Sequence, residues 1–255
     1  MRLLLAEFCT RLACGLACAV LCTSPRAVGP QFFRTLMLLV LGLVTVAALA
    51  GPGLLQSTGL ALVASAALAF CGSVVWTLGR TRAGQAVASL LLVLLVCNLV
   101  SSALDARNPA GGWMALAGAF ASAMLLGMTL AAMLLGHSYL VSPTMAIDPL
   151  KRLVALVGLS LVARTLLAGA GLVYLVRSSG LGTVIREYDT LWWSLLAARW
   201  AIGLVGTAVI AWRAWQTAKI RATQSATGIL YAGVALTLLG EMAGQIVTTQ
   251  AGLAL

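Results

Sequence analysis

Long runs of apolar residues, separated by short polar links, dominate the pattern along this chain. A membrane-spanning helix needs about 20 mainly apolar residues, and eight runs meet that length. Short links favour antiparallel neighbours, so the sequence predicts an all-α, polytopic transmembrane bundle forming a single integral-membrane helical domain over residues 1–255. The predicted spans are 3–23, 32–50, 57–77, 84–104, 113–136, 153–176, 191–212 and 226–250.

The first span begins like a secretory signal, with Arg2 followed by three leucines. Glu7 and Arg11 interrupt its apolar stretch, however, and no small-x-small cleavage site follows it cleanly. We therefore interpret this segment as a retained helix.

Basic residues are distributed unequally between the two sets of links, with nine in one set and four in the other. Cytoplasmic links are the ones enriched in Lys and Arg, so eight spans place both termini on the non-cytoplasmic side. The first set is Arg26, Arg34, Arg80, Arg82, Lys151, Arg152, Arg213, Lys219 and Arg221, and the second is Arg2, Arg107, Arg177 and Arg186.

Six of the seven tryptophans fall at predicted span ends, where an amphipathic ring anchors a helix at the headgroup level. Trp200 is the exception, and we expect it inside the bundle. The six predicted anchors are Trp76, Trp113, Trp192, Trp193, Trp212 and Trp215.

Composition supports a lipid environment and excludes most soluble enzyme classes. Hydrophobic residues make up 62% of the chain and charged residues 9%, against about 45–50% and about 25% in typical globular proteins. The net charge of +10 would suggest a nucleic-acid partner in a soluble protein. Here the basic residues lie in links, where orientation in the membrane explains them. We expect the lipid bilayer and other membrane subunits as partners, and no nucleic acid.

Motifs for catalysis and metal binding are absent from the sequence. The six cysteines lie in or beside apolar spans without a CxxC or CxxCH motif. The chain has one histidine and neither HExxH, nor a Walker motif, nor GxSxG with its partners. We predict no catalytic residues, no metal site and no catalytic activity of the chain's own.

Ionisable residues inside the spans are the candidate site residues, because each costs roughly 2.5–3.5 kcal/mol at the bilayer centre and usually has a partner. Arg199 and Glu241 lie at similar depths, about 12 Å from the outer ends of their spans, and we predict an ion pair between them. Glu7 and Arg11 have an i, i+4 spacing that favours a second pair. Arg164 falls near the midplane, with no carboxylate expected at its level.

Two interpretations of this cluster remain open. One is a structural bridge that fixes the register of the helices. The other is a polar pocket, open to the outer leaflet, that binds a quinone headgroup, an anionic lipid or a substrate anion. Gln245 lies one turn from Glu241 and can share this pocket. Three arginines against two glutamates leave one cation for an anion or a carbonyl dipole.

His137 is the only histidine and lies at the predicted cytoplasmic end of the fifth span. A lone histidine does not support bis-histidine haem ligation, but His/Met haem, or a haem or chlorophyll-type pigment held by one histidine, stays open. The alternative is a hydrogen-bonded histidine at the membrane interface. The links after it, with Pro143 and Pro149, predict an ordered connection.

The segments WRAWQTAKIRATQSATGILYAGVALTLLGE, ARWAIGLVG and GHSYLVSPT resemble a group of bacterial multi-pass membrane proteins with no assigned activity. The resemblance covers the second half of the chain and contains Arg199, Glu241 and His137. It implies a location in the bacterial cytoplasmic (inner) membrane and no particular function.

Three functional hypotheses follow. The first is a non-catalytic integral-membrane subunit of a larger complex, respiratory or photosynthetic, whose Arg/Glu cluster contacts quinone or lipid. The second is a small proton-coupled transporter in which Glu241 titrates. The third is a haem-binding or pigment-binding membrane protein that uses His137.

Overall fold

The computed structural model describes residues 2–51, 53, 56–104, 109–142 and 145–251. Within these ranges the chain is all helical, with eight helical segments long and apolar enough to cross a membrane. The predicted number of span-length apolar helices is confirmed. The helices are α1 (Arg2–Cys22), α2 (Pro30–Ala50), α3 (Ser57–Thr77), α4 (Thr81–Leu104), α5 (Pro109–Val141), α6 (Asp148–Ser179), α7 (Leu181–Glu187), α8 (Thr190–Ala198), a π-helix (Arg199–Gly206), α9 (Thr207–Lys219) and α10 (Thr223–Ala251).

Most helices extend beyond the apolar runs that predict them. The helix α2 begins at Pro30, and α6 carries Pro149 in its first turn, where a missing N–H breaks no helical hydrogen bond. The helix α6 ends at Ser179, and the Gly180 that follows has a φ of 79°, which suits glycine in the left-handed region. The short helix α7 then follows, which the hydropathy pattern did not predict.

The seventh span is composite. It runs from Thr190 to Lys219 as α8, the π-helix and α9 without a break. Asp189 caps its beginning, because the Asp189 carboxylate accepts a hydrogen bond from the backbone N–H of Trp192 at 2.9 Å.

Two helices, α1 and α5, form the centre of the bundle. In α5 78% of the apolar window is buried and in α1 61%, whereas the other spans bury 33–44%. A Cβ added to Gly15 of α1 would collide with the backbone carbonyl of Ala123 in α5, and one added to Gly127 would collide with the backbone of Gly15. These glycines therefore permit the close approach of the two central helices.

The remaining spans surround this pair. The helices α2 and α4 pack on α1, with α3 between them, while α6 and α10 pack on α5. The seventh span lies against both α6 and α10. Large apolar side chains on the outer faces, such as Leu49 and Leu166, are exposed as expected of a lipid-facing surface.

The first turns of α1 and the last turns of α10 lie at the same end of the bundle. The Gln245 side-chain amide of α10 donates a hydrogen bond to the Leu4 backbone carbonyl of α1 at 3.0 Å. We call this end the terminal end and the other the distal end. Arg107, which the sequence assigns to a link at the terminal end, lies outside the described residues, as does Pro143 at the distal end.

The tryptophans follow the predicted anchor pattern only in part. Trp113 and Trp212 are exposed, but Trp76 and Trp192 are fully buried, so the prediction of interfacial anchoring is wrong for these two. Trp76 stacks on Phe33, with ring centroids 4.3 Å apart. Trp200, expected inside the bundle, is only half-buried.

Candidate functional site

Three ionised side chains from α6, the π-helix and α10 meet inside the bundle. Arg199 Nη1 lies 2.6 Å from Glu241 Oε1, and Arg164 Nε lies 3.3 Å from both Glu241 carboxylate oxygens. All three side chains are at most 3% exposed. The predicted Arg199–Glu241 pair is present, and Glu241 is shared by two arginines.

The expectation that Arg164 has no carboxylate at its level is wrong. Counted from the distal starts of their helices, Arg164 lies 16 residues into α6 and Glu241 lies 18 residues into α10. At 1.5 Å per residue these depths are about 24 and 27 Å, a difference that an arginine side chain spans easily. The sequence-based estimate failed because the apolar runs begin several residues after the true helix starts.

Small residues of α10 make room for the Arg199 side chain. A Cβ on Gly244 would lie 2.8 Å from Arg199 Nε, and a Cβ on Gly203 of the π-helix would lie 2.6 Å from Gly240 Cα. The Gly240 carbonyl also accepts a hydrogen bond from Arg199 Nη1 at 3.3 Å. The GxxxG pair of α10 therefore serves two purposes, close backbone approach at Gly240 and passage of a guanidinium at Gly244.

Arg199 is the first residue of the π-helix, an element that the sequence analysis missed. Helices with i→i+5 hydrogen bonds are rare and occur frequently at functional sites. Gly203 and Gly206 fall within it. The spacing of residues in a sequence, however, does not distinguish a π-helix from an ordinary α-helix. Arg199 is also incompletely paired, since its buried Nε and Nη2 have no hydrogen-bond partner among the described residues.

A second polar group links α1 to α10 nearer the terminal end. Arg11 Nη2 lies 3.3 Å from Glu7 Oε2, which confirms the predicted i, i+4 pair. Gln245 Nε2 donates to the same Glu7 oxygen at 3.2 Å. Gln245 was expected to share a pocket with Glu241, but its side-chain amide donates hydrogen bonds to Leu4 and Glu7 of α1. Arg11 also interacts electrostatically with Glu241 and Arg199, and we refer to the two groups together as the charged network.

This network reaches a cavity at the terminal end, which we call the terminal cavity. Its volume is about 240 Å³, and the Glu7 and Arg11 side chains, which are 39% and 15% exposed, form part of its wall. A neighbouring cavity of about 380 Å³ shares Glu7, Thr10 and Ser102. The terminal cavity is lined by Glu7, Thr10, Arg11, Leu99, Ser102, Ala103, Ala115, Ala119, Thr248 and Thr249.

The hydroxyl residues of the terminal cavity were not found from the sequence. Thr10 lies one turn from Glu7, and Ser102 one turn from Asn98 on α4, so polar residues recur on one face of each helix. This spacing of polar residues could have indicated the cavity wall. It was missed because only ionisable residues were considered as candidates.

His137 lies far from this network. It is exposed near the end of α5, 22 residues from Ala115 of the terminal cavity, which corresponds to about 33 Å along the helix. Its Nδ1 lies 3.4 Å from the Tyr231 hydroxyl. His137 and Met145 line a cavity of about 350 Å³ at the distal end. Within the described part of the chain, no group of three His, Cys, Asp or Glu residues is placed to hold a metal ion.

The chain matches no protein-family model, no curated protein and no solved structure. What the site can do therefore follows from its own residues.

Proposed function

We propose that this protein is a non-catalytic integral-membrane subunit of a larger electron-transfer complex, and that its terminal cavity binds the headgroup of a quinone or an anionic lipid. One observation carries the proposal. A network of three arginines and two glutamates, with a net charge of +1, ends in a cavity wall that holds the partly exposed Arg11 guanidinium.

The chemistry of the cavity wall suits an acceptor group. Quinone carbonyls and lipid phosphates both accept hydrogen bonds, and the wall offers the Arg11 guanidinium together with the Ser102 hydroxyl as donors. The volume of about 240 Å³ suits a headgroup rather than a whole amphiphile. The apolar tail would then leave the bundle towards the bilayer.

The buried triad of Arg164, Arg199 and Glu241 supports this site from behind. Its atoms are inaccessible to solvent. We therefore propose that the triad holds α6, the π-helix and α10 in position and supplies a net positive charge of one. In a low-dielectric interior that charge attracts an anionic or polarised headgroup more strongly than it would in water.

The proposed membrane placement rests on the distribution of basic residues. Nine Lys and Arg residues lie in the distal links or in the helix segments beside them, and the positive-inside rule therefore supports a cytoplasmic distal end and a terminal cavity at the outer leaflet. We propose the bacterial cytoplasmic membrane as the location. Short links and extensive exposed apolar faces suit a subunit that contacts other membrane proteins as well as lipid.

Purification in a mild detergent tests both parts of the proposal. We expect the native chain to co-purify with membrane partners and with extractable quinone or anionic lipid, and Arg11→Gln to lose the bound molecule. Arg34→Gln is the matched control, because Arg34 is exposed near the distal end. A monodisperse lone chain that carries neither molecule would overturn the proposal.

The two alternative functions have less support in the geometry. Protonation of Glu241 would place two buried guanidinium groups beside a neutral carboxyl, which disfavours Glu241 as a titrating transport group. A pigment or haem on His137 predicts visible absorbance that His137→Ala abolishes. Transport of protons by reconstituted protein, lost in Glu241→Gln, would favour the transporter instead.

A further inference from the structure

An apolar groove runs along the outside of the bundle between α6 and the seventh span. It consists of two adjoining cavities of about 280 and 340 Å³, which share Leu161, Val162 and Ala208. Apart from the indole N–H groups, Thr165 is the only polar side chain in its wall, and the Thr165 hydroxyl already donates to the Leu161 carbonyl at 2.8 Å. We call this feature the lateral groove.

The length of the lateral groove matches one leaflet. On α6 its wall extends from Val154 to Leu166, which is 12 residues or about 18 Å. Half of a hydrocarbon core of about 30 Å is about 15 Å. A helix is about 10–12 Å in diameter, so a slot of a few hundred Å³ suits a single hydrocarbon chain better than a helix of another protein.

The distal end of the lateral groove is basic. Lys151 lies four residues before Ala155 on the same face of α6, and Lys219 lies four residues after Trp215 on the same face of α9. The Lys219 ammonium is 5.3 Å from the centroid of the Trp215 ring. Nearby charges on the same two helices are Asp148, Arg152 and Arg213, so the balance is clearly positive.

We propose that the lateral groove binds one acyl chain of an anionic phospholipid, whose phosphate lies between Lys151 and Lys219. Trp212 and Trp215 flank the wall at this end, where an amphipathic ring suits the boundary between chain and headgroup. This site is separate from the terminal cavity and does not depend on the function proposed for it.

A glycine in the wall allows the groove to be filled without disturbing the protein. A Cβ added to Gly158 meets no atom within 4 Å, so Gly158→Leu places its side chain in the groove. Gly42 of α2 is equally open and lies outside the groove. Gly42→Leu is therefore the matched control for the same change in residue type.

Native mass spectrometry of the detergent-solubilised protein, titrated with palmitoyl-oleoyl phosphatidylglycerol or phosphatidylcholine, tests the proposal. We expect tighter binding of phosphatidylglycerol and the loss of one bound copy in Gly158→Leu but not in Gly42→Leu. Lys151→Gln and Lys219→Gln should each weaken the preference about fivefold. Equal binding of both lipids, or full binding by Gly158→Leu, would overturn the proposal.

A second measurement needs no substitution that fills the groove. Phosphatidylglycerol with a brominated acyl chain should quench the fluorescence of Trp200, which lines the inner part of the groove, more than brominated phosphatidylcholine does. The part of the fluorescence quenching that disappears in the Trp200→Phe variant is the part due to Trp200. Equal quenching by the two lipids would contradict the assignment. Chemical cross-linking of a helix of another protein to the groove would contradict it as well.

Discussion

Gly203 of the π-helix and Gly240 of α10 meet backbone against backbone, one residue away from the ion pair that Glu241 makes with Arg199. With a Cβ on Gly203 only 2.6 Å from Gly240 Cα, neither position has room for a side chain. The charged triad therefore depends on two residues that carry no charge.

Substitution Gly203→Ala should push α10 away from the π-helix. We expect it to destabilise the protein by about 1–3 kcal/mol, because the added methyl group must displace backbone rather than a flexible side chain. Thermal unfolding in detergent measures the change. Gly228→Ala on α10 is the control, since its Cβ meets open space and alanine favours a helix. Equal stability of the two variants would contradict the close approach.

Charge removal within the triad should have unequal effects. Glu241→Gln leaves Arg164 and Arg199 as two buried cations, whereas Arg199→Met leaves a neutral pair of Arg164 and Glu241. We expect Glu241→Gln to cost about 3–5 kcal/mol and Arg199→Met distinctly less. The yield of folded protein and the unfolding temperature of each variant show which of the two substitutions is more destabilising. The reverse order would show that Arg164 does not neutralise Glu241.

Loss of the Gln245 amide should loosen the contact between α1 and α10. Gln245→Leu removes the hydrogen bonds to the Leu4 carbonyl and to Glu7 Oε2, with an expected loss of about 1–2 kcal/mol. Cross-linking efficiency between cysteines placed near the start of α1 and the end of α10 should fall as well. Gln250→Leu, at an exposed position of the same helix, should leave both measurements unchanged.

Tyr188 should make the terminal end sensitive to alkaline pH. Burial, and secondarily the Glu187 charge, raises the pKa of the Tyr188 hydroxyl above its usual value of 10.0. The neutral form thus contributes stability below pH 10 that is lost as the pH rises through the higher folded pKa. Tyr188→Phe should unfold at higher pH than the parent in an alkaline titration. Tyr174→Phe, at an exposed position, should not.

The sequence predicted the features that depend on position along a single helix. Hydropathy located eight spans, and residue counting placed Arg199 opposite Glu241, because depth in the bilayer follows directly from a rise of 1.5 Å per residue. The i, i+4 pair of Glu7 and Arg11 needed only helical spacing. These are local properties, which the pattern of residues largely determines.

Features that depend on which faces meet were not predictable in the same way. The contact between Gln245 and Glu7 joins the two ends of the chain, and nothing in either segment indicates the other. Arg164 was misjudged because α6 begins at Asp148, five residues before the apolar run. Within the π-helix, Arg199 and Gly203 both contact α10, and such a tertiary contact is not visible in the local sequence.

The π-helix also fixes how the two halves of the seventh span are turned relative to each other. Each residue advances an ordinary helix by about 100°, so rewinding residues 199–206 into standard turns would swivel α8 against α9. Arg199 would leave Glu241, or Trp215 would leave the groove beside α6. The π-helix therefore couples the place of Arg199 beside Glu241 to the place of Trp215 in the groove.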